Sequence, residues 1–293
     1  MKKKKYLITL IIFILFILNA YLINIYYIKP YLKPDPDDYT SKNIYVYNLS
    51  KKRVMMAIQE KERVSPASLT KIMTTIVALE NIKNPNEIAP IDKKTYQEMV
   101  AKNSSMAGFF GNEKTTYYDL LYGTILNSGG ECANSLAINI CGSENKFLEL
   151  MNEKAKELKL NNTHFTNVEG LDDENHYMSA KDVAKLLEYA LQNKEFKKIF
   201  TTKNKLSTKT INHRNGILLK STVLSKLDEY PQNNFKIKGG KSGTTDNAGL
   251  CWATLAEKNN QEYIIVVMGS PFKNIKNHGD GQIQDTLKIL EDL

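Results

Sequence analysis

Pro66-Ala67-Ser68-Leu69-Thr70-Lys71 sets a hydroxyl and an amine three residues apart at the head of an apolar run, Ile72, Met73, Ile76, Val77, Ala78 and Leu79. Pro66 stands where a helix would begin, so Ser68 falls in the first turn of a helix expected to run to about Glu80. Residues three apart stack on one side of a helix, which brings Ser68 and Lys71 within reach of each other. A serine hydroxyl is a poor nucleophile until a base takes its proton. A lysine can be that base if burial and the helix N-terminus disfavour its ammonium form. The same N-terminus offers free backbone N–H groups to a developing oxyanion.

Ser-x-x-Lys alone is a weak signal in so lysine-rich a chain, and Ser143-Glu144-Asn145-Lys146 repeats it. The flanks separate the two. The second copy opens an amphipathic helix with Phe147, Leu150, Met151 and Leu158 on one face and charges on the other, where a solvated lysine is the plain reading. Between Ile72 and Leu79 there is no charge at all, and a lysine at the head of a helix buried all round requires a reason. Two further stretches join the pair. Ser128-Gly129-Gly130 marks a sharp break between helices, and Lys241-Ser242-Gly243-Thr244-Thr245 reads as the opening of the strand that contains Leu250 and Cys251. Each alone is an ordinary turn composition.

In this order the three motifs resemble the penicillin-recognising serine enzymes, and most closely their serine D-alanyl-D-alanine carboxypeptidases. Ser104-Ser105-Met106, Asp119-Leu120-Leu121, Asn162-Thr163-His164-Phe165, Gly170-Leu171 and Ala248-Gly249 are similar to the running text of that family over about residues 43–293. The resemblance implies a β-lactamase/transpeptidase-like fold. It implies Ser68 as the nucleophile toward the D-Ala-D-Ala bond of peptidoglycan stem peptides, and β-lactams as acylating ligands. Lys71 is then the base and Ser128 a proton relay. Lys241, Ser242 and Thr244 hold the substrate carboxylate, and the N–H groups of Ser68 and Thr244 form the oxyanion hole. It implies no cofactor and no metal. The family usually carries Asn at Gly130, a substrate-binding position, and Thr more often than Ser at Ser242. Glycine there leaves the partners of that amide to water, Asn127 or Asn134, and implies slow turnover with acylation retained. The alternative from another class is a non-catalytic penicillin-sensing or wall-binding module.

The elements that must position these residues read as α+β. Ile44-Tyr45-Val46-Tyr47 and Val54 to Ile58 form a first hairpin. Residues 84 to about 200 are mostly helical, with helices expected over Thr115 to Leu126, Glu131 to Ile140, Ser143 to Leu160 and Ser179 to Leu191. Late strands follow at Lys205 to Ile211, Phe235 to Lys238, Leu250 to Ala256 and Tyr263 to Met268, then a closing helix from Gln282 to Leu290. That order argues for an antiparallel sheet flanked by helices beside an all-helical subdomain, with the site in the cleft between them.

The chain has 293 residues and a formal charge of +8, half of it in residues 1–42, where seven lysines face Asp35, Asp37 and Asp38. What remains is an ordinary lysine-rich surface, with no nucleic-acid footprint. Lys2 to Lys5 precede an uncharged span from Tyr6 to Ile28, about 23 residues, long enough for the ~30 Å core of a bilayer. The lysines hold the cytoplasmic side, so residues after Ile28 lie outside. Leu18-Asn19-Ala20 is a poor cleavage site and the apolar run continues past it, which favours an uncleaved single-pass plasma-membrane anchor over a signal peptide. The expected organisation is an anchor over 1–28, a proline-bearing linker over 29–42 and a catalytic domain over 43–293. The family's usual C-terminal β-domain and membrane-associated helix are not expected after the closing helix, and the N-terminal segment would then take over anchoring. Cys132, Cys141 and Cys251 read as packing thiols. His164, His176, His213 and His278 show no metal-ligand spacing. No Glu-Pro type loop is present to deliver water as a β-lactamase would, since no proline occurs between Pro90 and Pro231.

Overall fold

The computed structural model describes residues 2–23, 32, 34–272 and 279–293. Helix α1 (Lys2–Ile23) opens the chain. Its side chains from Thr9 to Tyr21 are exposed. Among the described residues no helix is long and apolar enough to cross a membrane; the end of the expected span, 24–28, lies outside them, as do 29–31 and 33 of the expected linker and His278.

The sheet is built from β1 (Asn43–Asn48), β2 (Arg53–Ile58), β7 (Phe235–Thr245), β8 (Gly249–Lys258) and β9 (Gln261–Ser270), all antiparallel in the order β2-β1-β9-β8-β7. Between its early and late strands lie α2 (Thr70–Asn81), β3 (Ile88–Pro90), α3 (Lys93–Ala101), β4 (Lys114–Thr116), α4 (Tyr117–Leu126), α5 (Gly130–Cys141), α6 (Glu144–Glu157), α7 (Ala180–Ala190), α8 (Lys194–Phe200), β5 (Asn204–Leu206), β6 (Leu218–Lys220) and α9 (Thr222–Lys226); α10 (Gly281–Asp292) closes the chain.

Side chains alternate across a strand, so each face of the sheet collects every second residue. Ile44, Val46, Trp252, Ile265 and Val267 face a core completed by Ile283, Leu287 and Leu290 of α10 and Val223 of α9. The alternate positions Tyr45, Ala253, Leu255, Ile264 and Val266 join a larger core shared with α2 and the helical lobe. A sheet covered on both faces favours nearly continuous apolar strands, and β8 and β9 are buried along almost their whole length. Helix α2 lies between sheet and lobe and is buried from Thr70 through Ala78.

Two expected strands differ. The strand expected over Phe235 to Lys238 runs on to Thr245, so Lys241-Ser242-Gly243-Thr244 lies inside β7 and does not open β8. Thr244 pairs with Leu250 across that hairpin. The run Lys205 to Ile211 yields only the three residues of β5, which pair with β6 in a separate two-stranded sheet and leave Ile211 at 92% exposure. Turn and loop hydrogen bonds take up the rest of that run, Ser207 N–H to Ile217 O among them.

Asp285 on α10 binds the segment that leads into β1: its carboxylate accepts from Thr40 N (3.2 Å), Thr40 Oγ1 (2.9 Å) and Ser41 N (2.7 Å). Removing a buried acceptor strands its donors. Asp285→Ala is expected to lower unfolding free energy by about 2–3 kcal/mol, whereas Lys288→Ala, at an exposed ion pair with Asp38, should cost less than ~1 kcal/mol. Urea denaturation of the two variants checks the contrast.

Candidate active site

Ser68 is the middle residue of a 3-10 turn, Ala67–Leu69, that runs straight into α2. Ala67 has φ 47°, a left-handed conformation uncommon for alanine. Its carbonyl is held by Thr70 Oγ1 (2.9 Å), and Thr70 Oγ1 pairs with His176 Nε2 (2.7 Å). His176 Nδ1 accepts the Thr166 N–H (3.1 Å), which puts the ring proton on Nε2, donating to Thr70. Burial pushes His176 down to about 4, so the ring is neutral.

Lys71 Nζ donates to Ser68 Oγ at 3.0 Å and to the Glu169 carbonyl at 2.6 Å. The side chain is 1% exposed. Burial pulls its pKa down to about 8, with the charges of Glu169 and then Glu131 acting the other way. Its amine can therefore accept a proton near neutrality. The loop carrying Glu169 is fixed from both sides. Asn167 Oδ1 accepts from the N–H of Gly170 (2.6 Å) and of Leu171 (3.1 Å), and Thr74 Oγ1 of α2 donates to Val168 O (2.6 Å). Gly170 has φ +89°, and a Cβ on it would stand 1.9 Å from Ala67 O. Only glycine fits there.

Ser128, with φ 61°, occupies the break between α4 and α5. Its Oγ accepts from Lys241 Nζ at 2.9 Å, across 113 residues of sequence. Lys241 is fully buried, also donates to Ser242 O (2.7 Å), and lies well below its ordinary pKa through burial first and the charge of Lys71 second. Ser242 Oγ pairs with Thr222 Oγ1 at 2.7 Å. A Cβ on Gly243 would lie 2.9 Å from Ser68 N, so β7 passes directly against the backbone of Ser68. Asp172 closes that side, accepting from Ser65 Oγ and Thr245 Oγ1, each at 2.7 Å.

Ser68, Ser128, Ser242 and Thr244 thus line one cleft of about 280 Å³, with Lys71 and Lys241 reaching their hydroxyls from below. Ser105, Asn127, Thr222, Lys226 and Trp252 are among its other lining residues. Gly130 is buried at the start of α5 and is not among the lining residues; its N–H donates to Ser105 O (2.7 Å). A Cβ there would meet Ser104 Oγ at 2.6 Å and Met99 Sδ at 3.0 Å, and φ is not positive at this position. Asn127 Oδ1 is taken by Lys220 N–H (2.9 Å). Asn134 Nδ2 donates to Gly130 O (3.1 Å) and Glu169 Oε2 (3.2 Å).

Ser143 has no part in this site. It is the N-cap of α6, accepting from Lys146 N. Ser105, Thr222, Glu169 and His176 escape sequence reasoning because each reaches the site from a loop or short helix with no chemical motif of its own; only Ser105 falls in a stretch that carries the family resemblance. Among the described residues no group of three or more His, Cys, Asp or Glu could hold a metal ion.

A family model described as D-alanyl-D-alanine carboxypeptidase matches residues 31–271. D-alanyl-D-alanine carboxypeptidase DacF of Bacillus subtilis (strain 168) is 32% identical over 77% of this chain and 56% of its own length. DacA of Haemophilus influenzae is 32% identical over 80% of this chain and 58% of its own length. The chain spans little more than half of those relatives. Among solved structures, the Streptomyces K15 DD-transpeptidase matches with a TM-score of 0.76 at 28% identity, covering 89% of this chain and 98% of that one. Penicillin binding protein 5 from Haemophilus influenzae matches at 0.75 and 27%, covering 89% and 71%. The mixed fold with an antiparallel sheet is common to them.

Gly170→Ala tests whether the loop contact shapes the Ser68 turn. With its Cβ 1.9 Å from a carbonyl oxygen at φ +89°, the variant is expected to lose about 2–4 kcal/mol of stability and most covalent labelling by a fluorescent penicillin. Gly142→Ala, at a positive-φ helix end with open space around it, should lose about 1 kcal/mol and keep labelling. Thermal melts and gel fluorescence read both.

Proposed function

The chain belongs to the D-alanyl-D-alanine carboxypeptidase family, and on that premise we propose that it removes the terminal D-alanine of peptidoglycan stem peptides through an acyl-enzyme on Ser68. The observation that carries the reading is the 3.0 Å contact between Ser68 Oγ and a Lys71 amine stripped of solvent. Neutral Lys71 takes the Ser68 proton as Oγ attacks the carbonyl carbon of the D-Ala-D-Ala bond. The oxyanion that forms is met by the N–H groups of Ser68 and Thr244; Gly243, next to Thr244, packs against Ser68 N where β7 crosses the 3-10 turn. Collapse breaks the C–N bond. The leaving amine needs one proton, which Lys71 returns by way of Ser128. Water then adds to the ester carbonyl as Lys71 takes its proton, and the adduct collapses by breaking the bond to Ser68 Oγ, which retakes that proton from Lys71 as the shortened peptide leaves.

Lys241, Ser242 and Thr244 hold the substrate carboxylate. A carboxylate arriving at Ser242 and Thr244 favours the ammonium form of Lys241, which burial opposes. β-Lactams acylate Ser68 by the same attack and occupy the same cleft.

The anchor and the division of the chain belong to the same reading. Residues 1–28 anchor the protein in the plasma membrane as a single pass through 6–28, 29–42 link, and the catalytic domain over 43–293 faces the cell wall. Support comes from the uncharged run after Lys2 to Lys5 and from the exposure of large apolar side chains along α1, Phe13 at 60% and Phe16 at 71% among them.

Ser68→Ala is expected to abolish covalent penicillin labelling and D-alanine release from a D-Ala-D-Ala peptide. Ser143→Ala should keep both and lose only about 1 kcal/mol of stability with its helix cap. Labelling of the Ser68 variant at a unique site, or labelling of the wild type with no D-alanine released, would overturn the assignment as nucleophile or as carboxypeptidase respectively.

The base must be neutral, and its pKa is pulled down to about 8. Acylation should therefore rise with pH through about 8 and fall on the acid side, where the ammonium form dominates. Lys71→Arg should fail throughout, because a guanidinium keeps its proton. A flat acylation rate from about pH 5 to 9 speaks against a lysine base.

A further inference from the structure

One carboxylate beside Lys71 has no part in the reaction as written. Glu169 is 3% exposed. Its backbone carbonyl accepts from Lys71 Nζ (2.6 Å), and its side-chain Oε2 accepts from Asn134 Nδ2 (3.2 Å). The same Asn134 amide donates to Gly130 O (3.1 Å), which fixes it at the foot of α5. Among the described residues Glu169 makes no ion pair with any lysine, arginine or histidine. A carboxylate this buried with no cation in contact is costly to the fold, and such groups concentrate where chemistry needs them.

We propose that Glu169 is a positioning residue for the base: its carbonyl aims the Lys71 amine at Ser68, and its carboxylate, pinned by Asn134, supplies the fixed negative charge against which Lys71 gives up and retakes a proton. The inference rests on Ser68 and Lys71 as nucleophile and base. The other groups facing Lys71 are accounted for. Glu131 and Cys132 come from α5, Lys241 from β7 and His176 from the segment before α7. Glu131 acts in the same sense as Glu169 but more weakly, and its Oε1 is engaged by the N–H groups of Ala107 (2.7 Å) and Gly108 (3.0 Å). Burial raises the Cys132 thiol and lowers the His176 ring, which leaves both neutral. Lys241 is itself displaced toward its neutral form, by burial first and by the charge of Lys71 second. Glu169 is thus the largest single charge favouring the ammonium form of Lys71.

The sign follows directly. Without the negative charge the ammonium is less stable, the neutral base appears at lower pH, and the acid limb of acylation moves toward acid. The experiment measures the rate of acylation by a fluorescent penicillin against pH, with the full chain in detergent, for the wild type, Glu169→Gln and Glu169→Asp. Glu169→Gln is expected to move the midpoint about one unit toward acid. One unit below the wild-type midpoint it should then keep about fivefold more of its own plateau rate than the wild type keeps. Glu169→Asp retains the charge and should hold the wild-type midpoint. A role in packing alone lowers the plateau and the Tm and leaves the midpoint in place; that result in a folded Glu169→Gln, or a move toward alkali, overturns the proposal. Should glutamine unsettle the fold, Glu169→Asn against Glu169→Asp repeats the comparison in the shorter side chain. A wild type that is never labelled at any pH defeats the serine–lysine reading itself, a different failure from labelling with an unmoved midpoint.

Discussion

Three stretches of backbone meet around one peptide unit, and the site depends on that contact. The loop from Asn167 to Leu171 presses on Ala67 O, strand β7 passes against Ser68 N, and the 3-10 turn between them carries the serine. Glycine stands at both points of closest approach, Gly170 and Gly243, because a Cβ on either would penetrate its neighbour. A turn held from both sides cannot relax, and this keeps Ala67 in a conformation it would not choose alone, at φ 47°. Thr70 and neutral His176 complete the restraint through the carbonyl of Ala67. Ser68 therefore presents its hydroxyl from a fixed frame, and freezing orientation in advance is a large part of what a catalytic site contributes.

The same close packing sets the electrostatics. Excluding water around Lys71 and Lys241 leaves each amine with neutral oxygen partners: Ser68 Oγ and Glu169 O for the first, Ser128 Oγ and Ser242 O for the second. A buried ammonium ion in such surroundings costs several kcal/mol, a neutral amine far less. The fold thus holds two lysines displaced toward their basic forms. They differ in their surroundings. Lys71 has buried carboxylates in its field, whereas none is a principal influence on Lys241. The first is suited to exchange a proton repeatedly, and the second to gain its full charge when an anion arrives.

How much of this the sequence reveals follows from the range of each contact. Ser68 and Lys71 are three residues apart on an uninterrupted apolar helix, so pattern alone pairs them. The hairpin of β1 and β2, strands β8 and β9, and helices α4 to α7 also announce themselves by period, whereas α3 and α8 do not. Strand β7 does not, because Lys236, Lys238, Gly239, Gly240 and Lys241 break any alternation of apolar and polar residues; its length comes from pairing with β8 along ten positions, from Phe235 to Thr245. Glu169 and His176 lie 98 and 106 residues from the partners they hold, Lys71 and Thr70, and nothing local marks either one. The pairing of Lys241 with Ser128 spans 113 residues, but there the family resemblance stands in for geometry.

Gly130 shows what a departure from a motif means for its surroundings. Glycine in place of an amide leaves that amide's partners to other groups, and the space next to it is already filled. The loop from Ser104 to Gly108 lies in the space: a Cβ on Gly129 would meet Ala107 Cβ at 2.8 Å, and one on Gly130 would meet Ser104 Oγ at 2.6 Å. Two glycines let that loop close onto the first turn of α5. There Gly130 N–H reaches Ser105 O, and Glu131 captures the N–H groups of Ala107 and Gly108. Ser105 is thereby held on the wall of the cleft. One turn further along α5, Asn134 has its amide on Gly130 O and Glu169 rather than in the cleft. Space and hydrogen bonds that a side chain at 130 would command are divided instead between a closer wall and a carboxylate set behind the base. The motif has been repartitioned, and its missing amide is the condition for that arrangement.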